Sequence, residues 1–280
     1  MRHMMGTRTA KRMGAVLVAA GLAAGVGACS DDDEEAATTD TASETTTTSG
    51  TGDGAGEDLV AACETNTEVS QAFGAVFESE DPEAAVEAYQ RDVEPLLAEL
   101  QEQAPTELQD ALERGVALLD RFVEEGDFAV LEDPEFSEIG SEIDGYFFEH
   151  CEGPKLEVTA VEYAFEGVAD TEPAGVTYIS FTNRGEELHE LAIARRADGE
   201  TRSVEEILAL GEEGGEDLLE FVGGTFAQQG QTTFTSLQLE PGDYAFICFV
   251  PVGSVDPEAE GNDDAPPHFT QGMIRAFTVE

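Results

Sequence analysis

Apolar positions between residues 58 and 152 recur every three or four residues, which is the spacing of amphipathic helices. Three N-terminal signals divide the pattern: Asp81-Pro82, Asp133-Pro134, and Thr106 with Gln109 as a capping box. The apolar stripes are Leu59, Cys63, Val69, Phe73, Val76 and Phe77; Val86, Tyr89, Val93, Leu96 and Leu100; Leu108, Leu112, Val116, Leu119 and Phe122; and Phe136, Ile139, Ile143, Phe147 and Cys151. Four such helices with short connections predict an antiparallel bundle.

After Gly153-Pro154 the apolar period changes to two, which is typical of strands with one buried face. Strand-like segments cover residues 156–165, 176–181, 188–194, 232–239, 244–250 and 273–279. Short strands separated by turns predict a Greek-key β-sandwich, with a short helix within residues 203–227. The predicted fold class is therefore α+β with several domains: a helical bundle over residues 58–153 followed by a sandwich over residues 154–280.

The first 57 residues show neither pattern. Residues 1–28 combine basic residues with an apolar run, which predicts a lipoprotein signal peptide. The run ends Val26-Gly27-Ala28-Cys29, which resembles a bacterial lipobox and implies lipidation of Cys29. The alternative is an ordinary signal peptide with an incidental cysteine. Residues 29–57 have almost no large apolar side chains, so we expect a disordered acidic and threonine-rich tether. The chain should be exported and anchored by lipid to the outer face of the bacterial cell membrane.

Acidic residues dominate the charge of the chain. It has 61 acidic and 13 basic residues and a formal net charge of −48. A field of this sign repels phosphate backbones, so no nucleic-acid partner is expected. The acidity indicates either adaptation to salt or only a soluble surface with an acidic linker.

The cysteine count of an exported chain is informative because export permits disulfides. Four cysteines are present, and lipidation of Cys29 leaves three, which means that one thiol has no partner. Cys63 and Cys151 lie on apolar helix faces at the two ends of the helical region. We therefore expect a disulfide between them, which leaves Cys248 free for another role.

Four residues with soft or imidazole ligands follow one another near the C-terminus: His189, Cys248, His268 and Met273. The whole chain has only four histidines, four cysteines and five methionines, so this order is unlikely to arise by chance. A thiolate, two imidazoles and a weak thioether suit both Cu(I) and Cu(II), and together predict one type 1 copper ion. The alternatives are that Met273 is a core residue and that His189 is a surface residue of a strand.

Three passages around these ligands resemble the cupredoxin family of blue-copper proteins. They are FTNRGEELH ending at His189, PGDYAFIC ending at Cys248, and PHFTQGM from Pro267 to Met273. The resemblance covers about residues 155–280 and implies a cupredoxin-like fold in which Met273 is the weak axial ligand. One departure is the insert, residues 249–267, which puts 19 residues between Cys248 and His268 where the family uses only a few. The insert leaves the geometry, solvent access and potential of the site open.

The function expected from these features is one-electron transfer. A lipid-anchored type 1 copper protein would exchange electrons with redox partner proteins at the membrane surface. The alternatives are copper storage or delivery, and a metal-free extracellular binding module. We do not expect an enzyme, because four ligands leave copper no open position for a substrate. Only His150 would remain as a histidine for a second copper centre in the exported chain.

Overall fold

The structure, a computed structural model, describes residues 53–77, 81–126, 129, 134–215, 217–255 and 265–280. The predicted signal peptide, Cys29 and most of the tether lie outside these residues, as does Asp133. None of the helices in the described ranges is long and apolar enough to cross a membrane.

Helices occupy the first part of the described chain. They are α1 (Asp53–Phe77), α2 (Pro82–Ala88), α3 (Glu94–Gln103), α4 (Gln109–Glu125) and α5 (Pro134–His150). The Asp81 carboxylate caps α2 by accepting a hydrogen bond from the Glu83 N–H at 3.1 Å. A π-helical segment, Tyr89–Val93, joins α2 to α3, and Pro95 takes a position in the first turn of α3. The predicted second helix is thus one continuous helical segment.

The capping box expected at Thr106 and Gln109 is not formed. Thr106–Leu108 is a 3₁₀ turn without a side-chain cap, and it runs directly into α4. The Gln109 amide instead donates to the backbone oxygens of Gln101 and Ala104, at 3.0 and 2.9 Å. It therefore satisfies carbonyls at the end of α3, which a helix end leaves without partners.

Strands form the second part of the chain, in two mixed sheets. They are β1 (Lys155–Val161), β2 (Ala164–Glu166), β3 (Thr171–Glu172), β4 (Gly175–Asn183), β5 (His189–Arg196), β6 (Leu219–Ala227), β7 (Thr232–Leu239), β8 (Gly242–Ile247) and β9 (Ile274–Val279). One sheet has the order β2-β1-β4-β7 and the other β3-β9-β8-β5-β6. Strands β1 and β4, and β3 and β9, pair in parallel, whereas the other pairs are antiparallel. Helices followed by mixed sheets confirm the α+β class, while the bundle and Greek-key details remain predictions.

Strand β6 was not expected from the sequence. A short helix was predicted within residues 203–227, and α6 (Val204–Leu208) is present with a complete capping box between Ser203 and Glu206. The residues that follow turn back as a nine-residue strand that pairs with β5. Gly223 and Gly224 interrupt its side-chain pattern, and an added Cβ on Gly224 would lie 2.5 Å from the Leu191 oxygen. Glycine is therefore needed where this strand approaches β5 closely.

The core of the strand region lies between the two sheets and includes Leu156, Phe181, Leu191, Leu237, Phe246 and Phe277. The helices cover the outer face of the first sheet. Tyr178 of β4 belongs to the helical core, the Phe148 and Phe234 rings are 5.4 Å apart, and Thr67 donates to Ser236 at 3.2 Å. The candidate ligands belong to the second sheet and its loops, and the short helix α6 packs on the outer face of that sheet.

Candidate metal centre

Two neighbouring strands and one turn carry the candidate ligands. His189 is the first residue of β5, and Cys248 directly follows β8, which pairs with β5. His268 begins a 3₁₀ turn, His268–Gln271, and Met273 directly precedes β9. Because side chains alternate along β8, Tyr244 and Phe246 share the sandwich core with Cys248, while Ala245 and Ile247 face the other side.

The structure brings His189, Cys248 and His268 into one group. His268 Nδ1 lies 3.2 Å from His189 Nδ1 and 3.3 Å from Cys248 Sγ. The three ligand atoms all lie within 4.8 Å of one another, and all three residues are fully buried. It is the one such group of histidine, cysteine and acidic residues in the described parts of the chain.

Met273 lies beside this group through its backbone. Its N–H donates to the His268 oxygen at 3.2 Å, and its own oxygen accepts from the Cys248 N–H at 3.3 Å. The residue is fully buried and belongs to the same core as Cys248. This position suits an axial thioether and suits a core side chain equally, so both interpretations of Met273 remain.

The outer nitrogens of the two imidazoles show that the group fits a metal ion. His268 Nε2 lies 3.0 Å from Glu187 Oε2, but His189 Nε2, although buried and 3.5 Å from Glu162 Oε1, has no hydrogen-bond partner. When no metal is bound, two Nδ1 atoms 3.2 Å apart form a hydrogen bond only if one of them carries a proton. A neutral imidazole has a single N–H, so the ring that is protonated on Nδ1 has no proton on Nε2. A metal held by both Nδ1 atoms would leave an Nε2–H on each ring, directed at a carboxylate.

Burial sets the protonation of the ligands. Desolvation raises the pKa of the Cys248 thiol to about 12, helped by the Glu190 and Glu187 charges and opposed by backbone N–H groups. Desolvation lowers the pKa of both histidines; for His189 the neighbouring His268 adds to this effect, while acidic neighbours oppose it at both rings. Both imidazoles are therefore neutral at pH 7 and available as ligands, whereas the thiol must release its proton to solvent when a cation binds.

Hydrogen bonds from the backbone hold the sulfur in place. The Glu190 N–H donates to Cys248 Sγ at 3.3 Å, and the Phe269 N–H donates to the Cys248 oxygen at 2.9 Å. The Glu190 carboxylate accepts from the Phe249 N–H at 3.1 Å, and burial raises its pKa to about 7. Glu190, which follows His189, is thus hydrogen-bonded to Phe249, which follows Cys248.

The insert does not separate Cys248 from His268 in space. Its two ends pair: the His268 N–H donates to Val250 at 2.9 Å, the Val252 N–H donates to Pro266 at 3.0 Å, and Pro251 and Pro267 form a β-bridge. We call these paired ends, residues 249–254 and 265–267, the base of the insert. The base delivers both ligands to one place and so accommodates a long insertion between them.

A second turn holds the segment before His189. The buried Asn183 amide donates to the oxygens of Glu187 and Ala227 at 2.7 and 2.8 Å, and its oxygen accepts from the Gly185 N–H at 2.8 Å. An added Cβ on Gly185 would lie 2.4 Å from Glu162 and 2.7 Å from His189 Nε2. The turn that contains Asn183, part of the passage that resembles the cupredoxin family, thus holds the segment before His189 in place.

Three residues at the site were missed by the sequence analysis: Glu162, Tyr163 and Glu187. The Tyr163 ring contacts the His268 ring edge-on, with centroids 4.8 Å apart. Burial opposes ionisation of Glu187, but its pKa is lowered by hydrogen bonds from Gly253, Tyr163 and His268. With 61 acidic residues in the chain, the sequence does not distinguish one glutamate from another. The one available signal is the spacing of Glu187, two residues before His189, which in an extended chain puts both side chains on the same side.

The predicted disulfide partners are also adjacent. Cys63 and Cys151 form a disulfide with Cα atoms 5.9 Å apart, closing a loop with a sequence separation of 88. Cys248 is the one free cysteine in the described part of the chain.

No protein-family model and no curated protein matches this chain. Solved structures that resemble it include auracyanin from the photosynthetic bacterium Roseiflexus castenholzii, with 17% identity over 46% of this chain and 98% of that chain and a TM-score of 0.31. Auracyanin A, a "blue" copper protein from Chloroflexus aurantiacus, has 19% identity over 46% and 100% and a TM-score of 0.29. Rusticyanin from Thiobacillus ferrooxidans has 17% identity over 46% and 79% and a TM-score of 0.28. The described residues of this chain that could hold a metal are His189, Cys248 and His268.

Proposed function

We propose that the strand region binds one copper ion in a type 1 site and carries single electrons. The observation that supports this most directly is the buried group of His189, Cys248 and His268, whose Nδ1 and Sγ atoms converge. A thiolate and two imidazoles, with at most a thioether beside them, suit copper. Structural zinc sites usually have four strong ligands, and the described residues supply a group of three.

Copper bound there would supply one-electron chemistry by cycling between Cu(I) and Cu(II). The chain's contribution is to keep the ligands fixed and dry, since all three are fully buried and Cys248 and His268 are hydrogen-bonded to neighbouring segments. A ligand set that moves little favours a carrier, whereas a substrate would need an open position on the metal. For this reason we propose a carrier and not an enzyme.

The lipid anchor at Cys29 belongs to the same proposal. The lipobox-like sequence and the acidic, threonine-rich segment after it support a tethered protein at the outer face of the cell membrane. A tether would keep the copper domain near redox partner proteins at that surface.

The test is to add Cu(II) to purified protein and record its visible spectrum. We expect one equivalent to bind with an intense thiolate charge-transfer band, and Cys248→Ala to abolish the band. A fast, reversible potential distinguishes a carrier from a storage or delivery protein. A colourless protein that binds less than one equivalent would contradict the proposal.

A further inference from the structure

One carboxylate, that of Glu187, connects the His268 ring to two other segments of the chain. Glu187 Oε2 lies 3.0 Å from His268 Nε2 and also accepts a hydrogen bond from the Gly253 N–H in the base of the insert. Its other oxygen accepts from the Tyr163 hydroxyl at 3.0 Å. The side chain is only 17% exposed, so these bonds form in a largely dry environment where a charge-assisted bond is strong.

The contacts of Glu187 enclose His268. Tyr163 holds the carboxylate with its hydroxyl while its ring lies edge-on against the imidazole, at 4.8 Å between centroids. The Gly253 N–H donates to the same carboxylate oxygen that lies against His268, and the Leu188 N–H donates to the Ser254 oxygen at 2.7 Å. The base of the insert is therefore attached to the segment leading into His189. The fully buried ring therefore has fixed neighbours along its edge and its outer nitrogen.

The two histidines differ in this respect. Glu162 lies 3.5 Å from His189 Nε2 without a hydrogen bond, and its Oε1 atom accepts the backbone N–H groups of Glu186 and Glu187. Glu187, in contrast, is within hydrogen-bond distance of His268 Nε2 before any metal arrives. A proton on Nε2 leaves Nδ1 as a bare lone pair directed at Cys248 and His189.

We propose that Glu187 is a positioning residue that holds His268 as the Nε2–H tautomer, with Nδ1 ready for the metal, and that fastens the base of the insert over the ring. The metal-binding part of this role rests on the proposed copper function. The tautomer and the fastening are properties of the metal-free chain and can be measured without copper.

The test compares three variants in the full chain. Glu187→Ala removes the acceptor, Glu187→Gln keeps an acceptor oxygen without the charge, and Glu186→Ala removes the same charge one residue away from an exposed position. The readouts are the histidine tautomer in the metal-free protein, from ¹⁵N NMR of its four imidazoles, and copper affinity by competition with a chelator.

We expect Glu187→Ala to lose the Nε2–H tautomer of His268 and to bind copper about 10- to 100-fold more weakly, the usual effect of removing a residue that orients a ligand. Glu187→Gln should recover the tautomer and part of the affinity, and Glu186→Ala should match the unmodified chain. If Glu187→Ala does not fold, Glu187→Gln and Tyr163→Phe decide: an affinity loss with a retained fold in either variant supports the role.

The inference is overturned if folded Glu187→Ala keeps both the tautomer and the affinity, or if Glu186→Ala weakens binding equally. A chain that binds no copper but loses the tautomer on Glu187→Ala would refute the proposed function and leave the positioning role intact. The two failures are therefore distinguishable.

Discussion

The helical and strand regions both bury cysteine, but they use it differently. In the helical region Cys63 and Cys151 are buried and bonded to each other. In the strand region Cys248 is equally buried, but its sulfur accepts from the Glu190 N–H and lies beside an imidazole nitrogen of His268, both at 3.3 Å. The same residue type therefore forms a disulfide in one region and stays free for a metal in the other.

The neighbours of each sulfur decide between these outcomes. The two helical cysteines face each other with Cα atoms 5.9 Å apart, within the range that a disulfide requires. Cys248 belongs to a separate core, packed with Phe246 and Met273. An exported protein can keep a thiol reduced when no second thiol reaches it and when burial raises its pKa, because the thiolate is the reactive form.

Removing the disulfide is the sharpest test of whether the two regions are independent of each other. Replacing Cys63 and Cys151 with Ser should lower the free energy of unfolding by about 4–5 kcal/mol, since a loop of this length is no longer closed in the unfolded chain. The copper spectrum of the remaining folded protein should not change, because Cys248 belongs to another core. Denaturant unfolding and a copper titration measure the two effects, and a shifted copper band would show that the regions are coupled.

Sequence analysis predicted the features that depend on local pattern or on rare residues. The helices follow a 3.6-residue period and the strands a period of two, and only four histidines were available as ligands, so His189, Cys248 and His268 stood out. The structure brings these three together. The odd cysteine count likewise singled out Cys248, the residue that is free in the structure.

Features that depend on long-range pairing could not be predicted. Nothing in the sequence of the insert shows that Val252 pairs with Pro266, because their hydrogen bond is between backbone groups. Strand β6 was hidden by Gly223 and Gly224, which have no side chain to show alternation. Glu187 and Glu162 were indistinguishable from other acidic residues until the fold brought them to the histidines.

The two regions also differ in how they bury carboxylates, which gives a smaller test. Asp144 in the helical region accepts one hydrogen bond, from Asn66 at 3.0 Å, and desolvation raises its pKa to about 6. The folded state then holds this proton more tightly than the unfolded state, so stability is lost as the pH rises from about 4 to about 6 and stays lower above that. The loss is at most about 3 kcal/mol, and less because the side chain is partly exposed.

Asp144→Asn should remove this cost while its amide oxygen still accepts from Asn66. We expect the variant to be more stable than the unmodified chain at pH 7.5 by about 1–2 kcal/mol, with little difference at pH 4. Denaturant unfolding at both pH values checks the result, and the copper spectrum provides the control for the strand region. An equal difference at both pH values would contradict the assignment of this pH dependence to Asp144.

The smallest expected effect concerns Met273, whose position fits both a ligand and a core residue. Met273→Leu conserves volume and should cost less than about 1.5 kcal/mol of stability. If the thioether is a weak axial ligand, His189, Cys248 and His268 should retain coloured copper, and the potential should rise because a donor to Cu(II) is lost. Met273→Gln should lower the potential through a harder oxygen donor. Voltammetry of both variants decides: unchanged potentials would make Met273 a core residue, and loss of copper from folded Met273→Leu would make the thioether a required ligand.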